Sequence, residues 1–201
     1  MEAFSTLAFI LIVITSMTLL LFRDWRINTA ALALQYLAAF LLVNLSWPIG
    51  LAVVKLIVGW MAAAAIALTC LRQINPESLV ESNARLFFRG LSGLLVILVI
   101  FILAPGFQEN LFPGLDPVIV QSGIMLFGMA LMQLGTNAEP FMVIISLLSL
   151  LSGFEIIHAG LERSTLLTGL MVIVNLGLAL IGVYFITSNS ENNEDLEDAI
   201  E

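Results

Sequence analysis

Cysteine, histidine and lysine each occur once in the 201 residues, as Cys70, His158 and Lys55. A single cysteine permits no internal disulfide and no cysteine-based metal cluster. A single histidine excludes a multi-histidine site. Charge is scarce as well, at 11% of residues, where a soluble domain carries roughly a quarter. Only 7 Lys and Arg stand against 15 Asp and Glu, so no basic patch exists to neutralise nucleic-acid phosphates. The chain has no glycine-rich phosphate loop, no HExxH and no GxSxG. Nothing in it performs redox or hydrolytic chemistry unaided. No cofactor is expected, and enzymatic status stays open.

What is abundant is apolar surface. Hydrophobic residues make up 60% of the chain, and mean hydropathy is +1.07. A helix crossing the hydrocarbon layer needs roughly 20 apolar residues. Seven stretches qualify or nearly so: Ala3–Phe22, Ile27–Leu45, Pro48–Leu71, Leu86–Ala104, Pro117–Leu134, Pro140–Leu161 and Thr165–Ile186. The alternating period of a barrel strand is absent, which leaves helices. The expected fold is all-α: a polytopic membrane bundle of seven helices over residues 1–187, followed by an acidic, disordered cytoplasmic tail over 188–201. The first span reads as a retained helix. Glu2 stands where a signal peptide carries basic residues, and no small-residue cleavage site follows.

Alternation of sides puts Arg23, Arg26, Arg72, Arg85 and Arg89 together, with Arg163 alone opposite. Basic loops stay cytoplasmic, so the N-terminus is expected outside and the C-terminus in the cytoplasm. The order is three spans, a connecting span, then three more. A repeat of the first three by the last three would be parallel, since both sets start on one side; a simple seven-helix bundle is the alternative.

Ionisable groups inside spans are costly and are candidates for function. Lys55 lies seven residues past Pro48, about 10 Å into its span at the helical rise. Glu155 lies six residues before Leu161, about 9 Å from the same side. The two therefore reach similar depth, where a Lys–Glu pair offsets part of the cost of either charge. His158 follows Glu155 by three residues, on a neighbouring position of the same helix. Gln35 and Asn175 sit near the middle of spans two and seven. In one reading Lys55, Glu155 and His158 belong to a protonatable chain. In the other, Lys55 snorkels outward while Glu155 and His158 make structural hydrogen bonds.

The first helix ends in Phe22-Arg23-Asp24-Trp25-Arg26. Asn28-Thr29-Ala30-Ala31-Leu32-Ala33-Leu34-Gln35-Tyr36 follows, and then the lysine-bearing Ile49-Gly50-Leu51-Ala52-Val53-Val54-Lys55. This layout resembles component E of the hydrogenase 4 family. That family is similar to the K-type small membrane component of NADH–quinone oxidoreductase and to the C-type small component of Mrp cation antiporters. Gly153-Phe154-Glu155-Ile156-Ile157-His158 resembles the family's glutamate-bearing segment, and Lys55 its early lysine. Span two carries Gln35 where the K-type proteins have a carboxylate, and span seven carries Asn175. The resemblance implies a small accessory protein in a prokaryotic inner membrane. Its partners would be antiporter-like subunits of a proton- or sodium-translocating oxidoreductase complex, and the redox cofactors would sit on other chains. Two readings from other classes stand beside it: a non-conducting assembly component of another membrane complex, and a small stand-alone transporter. Midplane breaks of the kind transporters use are not evident, since Pro48, Pro117 and Pro140 stand at span ends.

Overall fold

The computed structural model describes residues 2–73, 83–162 and 164–198. Arg163, used in the orientation argument, lies outside them, as do parts of the Arg72–Arg85 loop and the last three tail residues. All regular structure among the described residues is helical. The elements are α1 (Glu2–Leu21), α2 (Trp25–Ser46), α3 (Ile49–Gln73), α4 (Asn83–Leu111), α5 (Pro117–Thr136), α6 (Pro140–Leu161) and α7 (Thr165–Asp198). Each of the seven is long and apolar enough to cross a membrane.

Local chemistry sets the boundaries. The Asp24 carboxylate accepts from the Arg26 amide at 2.9 Å and caps α2. Asp116 does the same for α5 through the Val118 amide at 2.9 Å. Both satisfy amides that a helix start leaves open. Pro117 and Pro140 occupy the first helical positions of α5 and α6, where a missing N–H costs nothing. Between α4 and α5 the chain turns at Gly114, whose φ of +93° suits a residue without a side chain.

Two boundaries differ from the sequence reading by more than a helical turn. α4 continues through Pro105 to Leu111 instead of ending at Ala104. One proline removes one backbone bond, and the flanking turns carry the helix onward. α7 continues through Asp198, so backbone order enters the segment expected to be disordered. No proline or glycine follows Gly182, and a helix already nucleated by a long span propagates until something stops it.

The helices form two layers of three. α1, α2 and α3 are sequential neighbours in one layer; α5, α6 and α7 form the other. α1 packs on α5, α2 on α6 and α3 on α7, while α4 closes the edge against α1 and α5. The layers run in the same order, and facing helices run in the same direction. Asn28 and Met142 meet at one end of the α2–α6 pair, and Trp47 and Glu162 meet at the other. The two halves are thus related by a shift, not by a two-fold rotation.

α6 is the inner helix of its layer. In its span 61% of the residues are buried, against 17% for α4, so α6 is where a polar side chain is withdrawn from lipid. Gly153 allows α6 to lie against α5: an added Cβ would stand 2.9 Å from the Gly123 carbonyl oxygen and 3.2 Å from the Phe127 nitrogen. Such small-residue contacts bring backbones together in a bilayer. They also fix the height at which Glu155, two residues on, enters the bundle.

Candidate functional site

Lys55 of α3 and Glu155 of α6 form a salt bridge, with side chains only 6% and 10% exposed. A fixed rise per residue places them at one level; the layered packing brings them together. α3 reaches α6 because both flank α7. An unpaired charge in this position would carry a penalty of several kcal/mol. The pair removes most of it, and Lys55 therefore does not need to reach the membrane surface.

Beside the pair is a space of about 20 Å³ lined by Trp47, Lys55, Glu155, His158, Thr168 and Asn175, among others. That is room for about one water molecule. The His158 ring stacks on Phe154 at 6.1 Å and meets the edge of Trp47 at 6.3 Å. Its Nε2 is buried, and no group of the described residues bonds it. One ring nitrogen therefore faces the cavity wall as an open donor or acceptor. Trp47 closes this end. It is 8% exposed, and its indole N–H donates to the Glu162 carbonyl at 3.3 Å. A tryptophan at a span end commonly anchors in the headgroup layer; this one is turned inward and covers the pair.

Asn175 lines the same space, and its Oδ1 accepts from the Tyr36 hydroxyl at 2.9 Å. Ser152 lies beside that hydroxyl. Gln35 lies off the cavity. Its Oε1 accepts from Ser149 at 3.0 Å, and its Nε2 donates to Ser16 at 3.5 Å. Of the five residues singled out in the sequence, Lys55, Glu155, His158 and Asn175 share one cavity; Gln35 belongs to a neighbouring polar group.

Tyr36, Ser149, Gln133 and Asn137 escape a search for ionisable groups, because none titrates near neutral pH. Only Ser149 carries a signal in the letters, the strict spacing Ser146, Ser149, Ser152, Glu155, His158 on one helix; Tyr36, Gln133 and Asn137 emerge from the packing. Near the other end of the bundle the Asn137 Oδ1 accepts from two guanidinium groups, Arg89 at 2.8 Å and Arg23 at 3.2 Å. Arg89 is buried despite its charge.

The arrangement can hold a carboxylate and an ammonium out of water, admit a water beside them, and offer an imidazole as a further proton acceptor. Among the described residues no cluster of histidine, cysteine, aspartate and glutamate is suited to hold a metal ion. No protein-family model matches the chain, and neither curated proteins nor solved structures give a match.

Proposed function

We propose that this chain is a small integral membrane subunit of a complex-I-like or hydrogenase-like ion-translocating complex. Its part there is a buried polar path for protons or sodium beside antiporter-like subunits. The observation that carries this reading is the Lys55–Glu155 salt bridge, withdrawn from lipid and set beside a water-sized space and His158. A paired intramembrane charge that served packing alone would be replaceable by apolar residues at no cost. The resemblance of the Lys55 and Glu155 segments to component E of the hydrogenase 4 family supports the same assignment. Redox cofactors would belong to partner chains.

A bracing role is the second reading. Gln35 and Asn175 are tied to neighbouring side chains, and such interhelical hydrogen bonds contribute about 0.6 to 2 kcal/mol each in a membrane. Both roles require partners. Purification from native membranes in mild detergent should therefore yield the chain within a larger complex. Recovery as a monomer that transports ions after reconstitution rejects both and favours a stand-alone transporter.

The membrane would be a prokaryotic inner membrane, with the N-terminus outside and the C-terminus cytoplasmic. The arginine distribution motivates this orientation. A reporter fused after Ser190 should then be active only in its cytoplasmic form; a periplasmic signal reverses the orientation.

A further inference from the structure

The polar residues of α6 recur every third position: Ser146, Ser149, Ser152, Glu155 and His158. An α-helix turns about 100° per residue, so each three-residue step falls back by about 60° while rising about 4.5 Å. The series is therefore a spiral, not a straight stripe, and successive members remain neighbours. Together they meet three other helices, α5, α2 and α3. The Ser146 hydroxyl donates to the Met142 carbonyl of its own helix at 2.7 Å and lies 3.2 Å from Gln133 Oε1 of α5, and Ser149 donates to Gln35 of α2. Ser152 reaches the Tyr36 hydroxyl, which is itself bonded to Asn175 of α7. Glu155 pairs with Lys55 of α3. Ser146, Ser149 and Ser152 are at most 2% exposed, and so are Gln35, Tyr36 and Asn175.

Beyond Ser146 a separate polar group leads to the Arg23/Arg89 end. The Gln133 backbone carbonyl accepts from Asn137 Nδ2 at 3.2 Å, and Asn137 receives Arg89 and Arg23. At the other end His158 and Trp47 face the Glu162 mouth. From Ser146 to His158 the rise is about 18 Å, more than half of a hydrocarbon layer of about 30 Å.

We propose that this spiral is a proton path leading from the Lys55–Glu155 pair to Ser146, on the side of the Arg23/Arg89 end of the bundle. The inference rests on the proposed function and adds the route and the side from which Glu155 is reached. A hydroxyl passes a proton by accepting one on its oxygen and releasing its own to the next acceptor, so no charge accumulates between ends. Gln35 and Gln133 do not relay. The Gln35 carbonyl oxygen accepts from Ser149 and holds it, while Ser146 is held by the Met142 carbonyl with Gln133 Oε1 beside it. The Cβ atoms of neighbouring members stand about 5 to 6 Å apart by helix geometry, so the relay passes through a water between successive hydroxyls. The nearly complete burial of these side chains suits a proton, which needs only the hydrogen bonds, better than a hydrated cation. The titratable and charged groups facing Glu155 are Lys55 from α3 and His158 from α6, with Tyr36 of α2 beyond Ser152. α7 presents Asn175 and Thr168.

The test uses the purified full chain in sealed vesicles of neutral phospholipid, captured through a C-terminal tag. Ile186 of α7 shares a core cluster with Leu19 of α1 and Cys70 of α3, so α7 leaves the bundle at the Arg23/Arg89 end and tag capture selects vesicles with that end outward. The external pH is dropped, and the infrared band of the protonated carboxyl is followed, identified by its absence in Glu155→Gln. The band should rise roughly tenfold or more slowly in Ser149→Ala/Ser152→Ala than in the wild type. Ser122→Ala should leave the rate unchanged. Ser122 is a buried α5 hydroxyl outside the spiral, without a hydrogen-bond partner among the described residues, and controls for loss of a buried hydroxyl. Equal rates in the wild type and the double serine variant overturn the path and leave the titrating Glu155 standing. No carboxyl band in the wild type at any pH overturns the titration of Glu155, and with it both this path and the conducting role.

Discussion

Lys55→Met lowers the thermal stability of the purified protein sharply, and adding Glu155→Leu restores most of the loss. Removal of one partner leaves the other charge buried, at a cost of about 3 to 5 kcal/mol. For a chain of this size that corresponds to a fall in midpoint of roughly 10 °C. Glu155→Leu alone has a similar effect, because Lys55 is then the orphan at 6% exposure. With both replaced, methionine follows the lysine stem and leucine fills the glutamate volume, so the double variant returns to near the wild-type midpoint. Glu155→Gln keeps the shape and hydrogen-bonding capacity but also leaves Lys55 without its counter-ion, so it is expected to share part of the loss. The measurement is a melting curve in detergent for the four corners of the cycle, read as a coupling energy. Single variants that melt with the wild type show a lysine free to reach the surface, and a double variant as unstable as the two losses added shows no coupling. Either result removes the pair from any account of function.

Span number and most boundaries are legible in the sequence because they depend on run length, capping and the first-turn prolines, all local properties. α4 shows where this ends. The apolar stretch reads as ending at Ala104, but in the bundle Pro105 interrupts one hydrogen bond and the helix goes on to Leu111. The common depth of Lys55 and Glu155 is legible for a related reason: the rise per residue is fixed. That they touch is not, because contact depends on α3 and α6 both packing on α7, a matter of layer order that no local pattern encodes. The α6 spiral divides the same way. Its period is plain in the letters from Ser146 to His158, yet the steps face α5, α2 and α3 in turn, so the partners Gln133, Gln35, Tyr36 and Lys55 emerge only from the packing. Trp47 reads as an interfacial anchor by its place after a span. Its burial follows from the parallel α2–α6 pairing, which brings the Glu162 carbonyl within reach of the indole.

Lys55→Met/Glu155→Leu, the stable apolar replacement, should assemble at normal abundance and lose most ion translocation. The double variant is the suitable probe because each single change confounds loss of a titratable group with a buried unpaired charge. In the double variant packing is preserved, His158 and Asn175 remain, and only the carboxylate and the ammonium are gone. If protons or sodium pass through this chain, the step that needs Glu155 to bind and release charge disappears. A positioned proton-transfer group contributes about a hundredfold or more to a rate, so pumping through this route should fall to background. Partner redox activity, whose cofactors lie on other chains, should fall less or become uncoupled. A bracing role predicts the opposite, since its contribution lies in helix contacts such as Gly153 against Gly123, which the double change leaves alone. The measurement is ion uptake by sealed native vesicles of the variant strain, with complex abundance checked on a native gel. Unchanged uptake at normal abundance rejects conduction through the Lys55–Glu155 pair and leaves the chain as a brace. Lost uptake at normal abundance is what conduction through the pair requires, because the bracing contacts are still in place.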